Sequence, residues 1–552
     1  MTTATIPRSD APSDQGGAPP TRVVLHRRPL AVALLAGLLT TASVPPFGWW
    51  PAALVGLGLL PVALESAGTV RQRFLRSLAF AGGLYIPSLW WLTQFSLPGG
   101  LVICSIEMVI TALVVSLTIP RARGERSLAF VCSVAAAVVI ADALRSLWPF
   151  GGLPLGGIDL GQADGPFAAL VTFGGRLLLI GTVALVGGAV VLSVRLLLHD
   201  TQILGARTGD TRTRDTRTGD TRIPASVIPA SVIPAVIVVA LGLTITALAH
   251  VMPDGTHAGR TLRLGVAQGS GPLGVRATDA GLERAFRAHV AATELIRQPV
   301  DLVLWPENVV DVQRFASSPK RAEIGRLAGR LGAPIVAGVV EDDPDPNRFR
   351  NFSIVVDPGG GIGDGKAGRY DKVRRVPFGE VVYFRSFLER FSSALPTKDM
   401  RSGSLPGVVA TPFGPMALII SYEGFFDDRA RSGVRAGGQA LLIPTNASSF
   451  TSAHLPTQQI AAARLRARET GRWVGQAAPT GISAILTPGG RVVTRSSIQE
   501  RTALIATITL RHGLTPYARW NDAPALALTA AVATAAFLSP RRRTRRRTRR
   551  AT

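Results

Sequence analysis

The chain has 552 residues, 60 Lys+Arg against 36 Asp+Glu for a formal charge of +24, and two cysteines. Only 17% of it is charged and its mean hydropathy is positive, against the roughly 25% charge of an average soluble domain; this argues against a soluble basic nucleic-acid binder and for long apolar stretches. Cys104 and Cys132 both lie inside apolar runs, which excludes a disulfide framework and a cysteine-ligated zinc site.

Residues 1–28 are rich in Pro, Gly, Ser, Thr and Asp and read as a disordered N-terminus. Apolar stretches follow at 30–46, 50–66, 77–95, 101–120, 127–147, 167–198, 233–252 and 523–540. Most are near the ~20 residues that cross a bilayer's hydrocarbon core. The first two are joined by Ser43-Val44-Pro45-Pro46-Phe47-Gly48, which predicts a tight helical hairpin. His26-Arg27-Arg28 ahead of the first stretch also matches a leader peptide, but the succession of further stretches favours a retained span.

The loops bear on orientation. Basic residues cluster at 22–28, 71–76, 121–126, 207–222 and 541–550, whereas 46–50 and 96–100 carry no charge and 148–166 no Lys or Arg. The positive-inside rule then places both termini in the cytoplasm and the long segment between spans seven and eight outside. The predicted organisation is a cytoplasmic N-terminus (1–28), spans one to six (29–200), a low-complexity cytoplasmic loop (201–232), span seven (233–252), an extracytoplasmic domain (253–522), span eight (523–540) and a basic tail (541–552). The loop carries tandem Thr-x-Asp-Thr-Arg units and Ile-Pro-Ala-Ser-Val units, the mark of expanded sequence in a tolerant region. The tail's arginines suit a stop-transfer anchor against anionic headgroups better than a nucleic-acid site.

From 262 to 511 short apolar runs alternate with amphipathic helical ones. Strands are predicted at 262–267, 302–305, 334–340, 352–356, 416–420, 440–443, 473–476, 482–486 and 504–508, and helices near 278–297, 319–331, 425–436 and 454–470. Near-continuous apolar strands separated by helices imply sheets buried on both faces, an α/β layered domain. Active sites in such folds collect at strand ends. Three strand ends carry polar chemistry: Trp305-Pro306-Glu307, Tyr370-Asp371-Lys372 ahead of Val376-Pro377-Phe378-Gly379-Glu380, and Ser421-Tyr422-Glu423. Taken singly, each has an ordinary reading as a helix-start acid, a solvated lysine or a turn serine. Lys372 stands out because the chain has four lysines.

Taken together, in this order and spacing, Glu307, Lys372 and Ser421 resemble the nitrilase superfamily, and their setting between membrane spans resembles bacterial apolipoprotein N-acyltransferases. Arg464-Leu465-Arg466-Ala467-Arg468-Glu469 and Gly513-Leu514-Thr515-Pro516-Tyr517-Ala518-Arg519 match as well, and the likeness runs over 29–540. The resemblance implies a membrane α-helical bundle of about eight spans with an extracytoplasmic αββα nitrilase-like domain. It implies a two-step acyl transfer from a phospholipid donor to the α-amino group of a diacylglyceryl-cysteine at a lipoprotein's N-terminus, in the plasma membrane, with no cofactor. Glu307 would be the general base and Lys372 the oxyanion's partner. Ser421 would hold the nucleophile position, supported by Glu380, Tyr422 and Glu423. Phe378, Tyr383, Phe384, Phe387 and Phe391 suit a lid dipping toward lipid or simple packing under a loop.

Ser421 departs from the family, which carries cysteine there, and neither Cys104 nor Cys132 falls within 253–522. Ala447-Ser448-Ser449-Phe450 replaces an Asn-Asp-Ala-Trp-Phe-like stretch, Gln459 a histidine, and Ala478-Pro479-Thr480 an asparagine-rich segment. Two readings follow, with a membrane-tethered amidase as a third. One is an acyltransferase that works through Ser421. The other is a weak or inert paralogue that scaffolds a membrane partner, for which a polyprenyl-phosphate mannosyltransferase is the candidate. Retention of Glu307, Lys372 and Glu380 favours the enzyme.

Overall fold

The computed structural model describes residues 28–94, 97–119, 127–210, 232–252, 254–271, 278–361, 368–390, 395–450 and 452–538. The expected disordered N-terminus (1–27), most of the tandem repeats, Phe391 and the arginine-rich tail lie outside the described residues.

Each of the eight apolar stretches contains a helix. The first seven are α1 (Pro29–Ser43), α2 (Trp50–Leu64), α3 (Val70–Leu89), α4 (Leu97–Thr118), α5 (Leu128–Arg145), α6 (Val171–Asp210) and α7 (Ile233–Val251). Among the described residues, four helices are by length and composition fit to cross a membrane: Leu97–Thr118, Leu128–Arg145, Pro166–His199 and Ile233–Val251. Pro29–Ser43 and Trp50–Leu64 are shorter and apolar. Thr69 starts α3 with a capping box, accepting from Gln72 N at 3.2 Å while Gln72 Oε1 accepts from Thr69 N at 3.4 Å. Cys104 is buried on α4 and Cys132 half-buried on α5, in the helical region as the sequence placed them.

The second half runs β1 (Thr256–Gln268), α8 (Asp279–Thr293), β2 (Leu302–Leu304), β3 (Val310–Val312), α9 (Pro319–Leu331), β4 (Ile335–Asp342), β5 (Arg348–Val356) and β6 (Arg369–Asp371). It continues with α10 (Arg385–Leu388), β7 (Asp399–Met400), β8 (Val408–Thr411), β9 (Gly414–Leu418), α11 (Asp427–Arg435), β10 (Leu441–Pro444) and α12 (His454–Thr470). The last elements are β11 (Val474–Ala477), β12 (Ala484–Leu486), β13 (Val492–Arg495), β14 (Thr502–His512), α13 (Pro516–Trp520) and α14 (Ala523–Leu538). All nine predicted strands are present. Sequence reading did not find β3, β6, β7, β8 and β13, which are short and mostly carry mixed polar residues.

Two sheets result. One has eight strands, with β14-β1-β2-β4-β5-β6 as its path and β3 and β7 attached to β4 and β5. The other has six, ordered β13-β12-β11-β10-β9-β8. Leu264 and Leu304 of the first sheet and Leu418, Leu442 and Ile485 of the second share one buried cluster, so the sheets stack face to face. The outer face of the first packs Phe286 of α8 and Ile324 and Leu327 of α9. The outer face of the second packs Ala430 and Val434 of α11 and Ala463 and Ala467 of α12. The layers are therefore α, β, β, α, and strands buried on both faces need the near-continuous apolar runs the sequence shows. The expected αββα domain is present, joined to a helical bundle.

Candidate active site

β2 is fully buried and is followed by Trp305, whose indole Nε1 donates to Thr293 Oγ1 at 2.9 Å. The next turn delivers Glu307. This turn crosses β4 at Gly338, where a Cβ would come within 2.2 Å of Pro306 O and 2.7 Å of Glu307 Cα, so only glycine lets the strand pass beneath the carboxylate.

Lys372 follows β6, the edge strand of the same sheet. Its Nζ lies 2.8 Å from Glu307 Oε1 and 2.7 Å from Glu380 Oε1. Asn351, on the neighbouring β5, donates Nδ2 to the same two oxygens at 2.9 and 3.1 Å. Four side chains thus share one charge cluster, and Lys372 is 1% exposed. Burial alone would lower the Lys372 pKa, but Glu307 and Glu380 outweigh it and hold it above the ordinary lysine range. Glu380 is shifted up by burial and by Glu307's charge, against the pull of Lys372. Sequence reading missed Asn351; the signal was a lone amide at the start of the buried run 351–356.

Ser421 lies just beyond β9. Its φ of 50° is the left-handed region, sparsely populated for a non-glycine residue and a mark of a turn held by its surroundings. Glu423 does the holding. Its Oε2 accepts from Ile420 N at 2.8 Å, and its Oε1 accepts from Val373 N and Arg374 N at 2.8 and 3.1 Å. Tyr370 OH donates to both oxygens at 2.9 and 3.0 Å. One buried carboxylate therefore ties the Ser421 turn to the segment that carries Lys372. From the other side, Glu307 N donates to Thr445 O at 3.4 Å, and Thr445 Oγ1 lies 3.5 Å from Ser421 Oγ. Glu307, Lys372 and Ser421 are thus tied to one another through Thr445 and Glu423.

Tyr422 faces the bundle, its OH donating to Gly152 O at 2.8 Å. Arg374 Nη1 donates to Gly151 O at 2.8 Å and Tyr383 OH to Phe150 O at 3.1 Å, so the loop after α5 carries three contacts from around the site. The Phe150 ring stacks 4.6 Å from Tyr383 and meets Phe378 edge-on at 5.2 Å. Phe384 and Phe387 are 73% and 57% exposed. The predicted aromatic segment thus divides, with two rings packed and two presented outward. Gln459 lines a small cavity beside Ser421 with Thr445, Ile443 and Gln476.

A carboxylate and an ammonium near a strand-end hydroxyl equip the site for acyl transfer. A carboxylate in such a place can serve as a general base, and a buried cation can stabilise an oxyanion more strongly where polarity is low. Glu423→Ala is expected to lower stability by on the order of 3 kcal/mol, because it leaves the Ile420, Val373 and Arg374 N–H groups and the buried Tyr370 hydroxyl without this partner at once. A lower unfolding temperature in detergent, with loss of reaction at Ser421, checks this.

Comparison with known proteins places these features. Residues 36–189 match the apolipoprotein N-acyltransferase N-terminal domain, and residues 263–513 match the carbon-nitrogen hydrolase family. The apolipoprotein N-acyltransferase of Mycolicibacterium smegmatis is 31% identical over 533 residues, covering 89% of this chain and 82% of its own. That of Azotobacter vinelandii is 28% identical over 517 residues, covering 89% and 92%. Among solved structures, Saccharomyces cerevisiae Nit3, a nitrilase-superfamily member, aligns at 19% identity and a TM-score of 0.34, covering 53% of this chain and 98% of Nit3.

Proposed function

The chain belongs to the apolipoprotein N-acyltransferase family, and we propose that it moves an acyl chain from a membrane phospholipid to the N-terminal diacylglyceryl-cysteine of lipoproteins, using Ser421 as nucleophile. The observation that carries this reading is the buried Lys372–Glu307–Glu380 cluster, joined through Glu423 to the Ser421 turn.

In the first step Ser421 Oγ attacks the phospholipid's ester carbonyl while its proton passes to Glu307. The oxyanion forms facing Lys372. Collapse breaks the ester C–O bond, and Glu307 returns the proton to the departing lysophospholipid. In the second step the lipoprotein's α-amino group attacks the Ser421 ester, an amide forms, and Ser421 recovers a proton. Glu380 and Asn351 keep Lys372 and Glu307 in register, while Glu423 and Tyr422 fix the turn.

Both substrates are lipid-anchored, so the site must stand at a bilayer surface. The proposed organisation keeps eight spans, cytoplasmic termini and an extracytoplasmic 253–522 domain, supported by the loop charges. The scaffold reading, with a polyprenyl-phosphate mannosyltransferase as partner, rests on Ser421 replacing cysteine. A scaffold has no use for a buried lysine between two carboxylates, which costs desolvation energy.

Expression in a host whose lipoproteins carry only two acyl chains tests the reading. Mass spectrometry of N-terminal lipopeptides is expected to show a third, amide-linked chain. Lipopeptides that remain diacylated with the chain correctly inserted would contradict it.

A further inference from the structure

A buried chain of ion pairs runs from the bundle into the α/β domain. Arg145 Nε on α5 pairs with Glu107 Oε2 on α4 at 2.6 Å, and its Nη1 meets Asp142 Oδ1 at 3.2 Å. Asp142 Oδ2 takes Arg176 Nη1 of α6. Arg176 Nε then faces Asp427 Oδ2 at 3.5 Å, and Tyr517 OH donates to that oxygen at 2.6 Å. Asp427 opens α11, two residues after the turn Ser421–Phe425 ends. It bridges a predicted membrane span to the segment that follows Ser421.

The local sequence builds this junction. α6 is interrupted at Gly174 (φ −135°) and Gly175 (φ 67°). A Cβ on Gly175 would stand 2.3 Å from Tyr517 Cε2, so the break admits the tyrosine ring and sets Arg176 beside Asp427. Arg145 and Glu107 have no exposed surface, and Arg176 and Asp142 are 4% and 3% exposed. Buried ion pairs are weak sources of net stability, and an apolar core often serves as well. Their charges do demand particular partners in a particular geometry.

We infer that Arg176 and Asp427 are positioning residues: the ion-pair chain fixes the Ser421 turn against the bundle, so that Ser421 addresses an ester held in the bilayer. The inference rests on the acyl-transfer reading above. It separates two properties: reaction with a bilayer phospholipid requires the junction, whereas the intrinsic reactivity of Ser421 does not.

The test uses the full chain in phospholipid nanodiscs, with Arg176→Met, Asp427→Asn and the conservative Asp427→Glu. Two rates are compared: labelling of Ser421 by a soluble fluorophosphonate, and acylation of Ser421 by nanodisc phospholipid. Asp427→Asn and Arg176→Met are expected to label like the unsubstituted chain, yet lose about tenfold to a hundredfold in kcat toward phospholipid, the scale of an ångström-sized misplacement. Asp427→Glu is expected to recover most of the loss. Equal falls in both rates, or no fall in either, would overturn the inference.

Hydrogen exchange supplies a readout independent of catalysis. The amides of α11 are expected to lose protection in Arg176→Met and Asp427→Asn while those of β4 and β5 keep theirs. If the unsubstituted chain neither labels nor acylates, the acyl-transfer reading fails and exchange alone decides: unchanged protection of α11 overturns the positioning role. Tyr517→Phe, which removes the hydroxyl's hydrogen bonds with Asp427, Asp522 and Arg431 but no charge, is the milder arm should the other variants unfold, and is expected to give an intermediate loss of protection; none would overturn the role.

Discussion

Ser421→Cys is expected to speed acyl-enzyme formation by on the order of 10²-fold, because a thiol with pKa near 8.5 is a few per cent thiolate at neutral pH while a hydroxyl must lose its proton during attack. Serine serves well where a strong positioned base removes that proton. Here the proposed base is a carboxylate that already accepts from Lys372 and Asn351. The backbone of the turn is held by Glu423 rather than by the Ser421 side chain, so a sulfur would take the hydroxyl's place without rebuilding the site. The new thiol would also be the first within 253–522, since Cys104 and Cys132 lie in α4 and α5. Lysophospholipid release, followed by mass spectrometry in the first turnover, gives the rate. No change would place the nucleophile elsewhere.

Glu307→Gln is expected to cost about 10³-fold in kcat, within the range for removing a general base. The amide keeps the volume and an oxygen for Asn351, so the fold should survive, and an unaltered unfolding temperature checks that. Lys372→Met is expected to cost on the order of 10²–10³-fold through lost oxyanion stabilisation, and it also leaves two buried carboxylates facing each other. The pH dependence has a definite sign. The Lys372 pKa is raised in the fold, so its contribution is complete below the unfolded lysine value of about 10.5 and is lost only as pH rises through the higher folded value. Between neutral pH and about pH 9 neither activity nor stability should change through Lys372. A fall in that window which Lys372→Met abolishes would contradict the cluster's geometry.

The three candidate site residues were legible in the sequence because of how the sheets are built. Strands buried on both faces read as apolar runs, so Glu307 and Ser421 stand out as polar residues at their ends. Lys372 stood out through scarcity, although its strand, β6, is three residues long and escaped notice. Asn351 and Thr445 were not legible, because their roles depend on β5 lying between β4 and β6 and on β10 lying beside β9. The necessity of Gly338 depends on the turn that crosses it. The break at Gly174-Gly175 was hidden inside an apolar run, where two glycines look like ordinary membrane-helix residues. Only the tyrosine, 342 positions later in the chain by residue number, reveals its purpose. Ion pairs between the bundle and the α/β domain likewise join residues hundreds of positions apart, beyond any local pattern.

The most direct test of the account is the mass of the Ser421 peptide. Purified chain is incubated with a phospholipid of defined acyl length and no lipoprotein acceptor, then digested and analysed by mass spectrometry. One added acyl group is expected on Ser421, absent in Ser421→Ala and discharged when an acceptor lipopeptide is supplied. An unmodified Ser421 peptide after long incubation, or an acyl group carried on another residue, would contradict it.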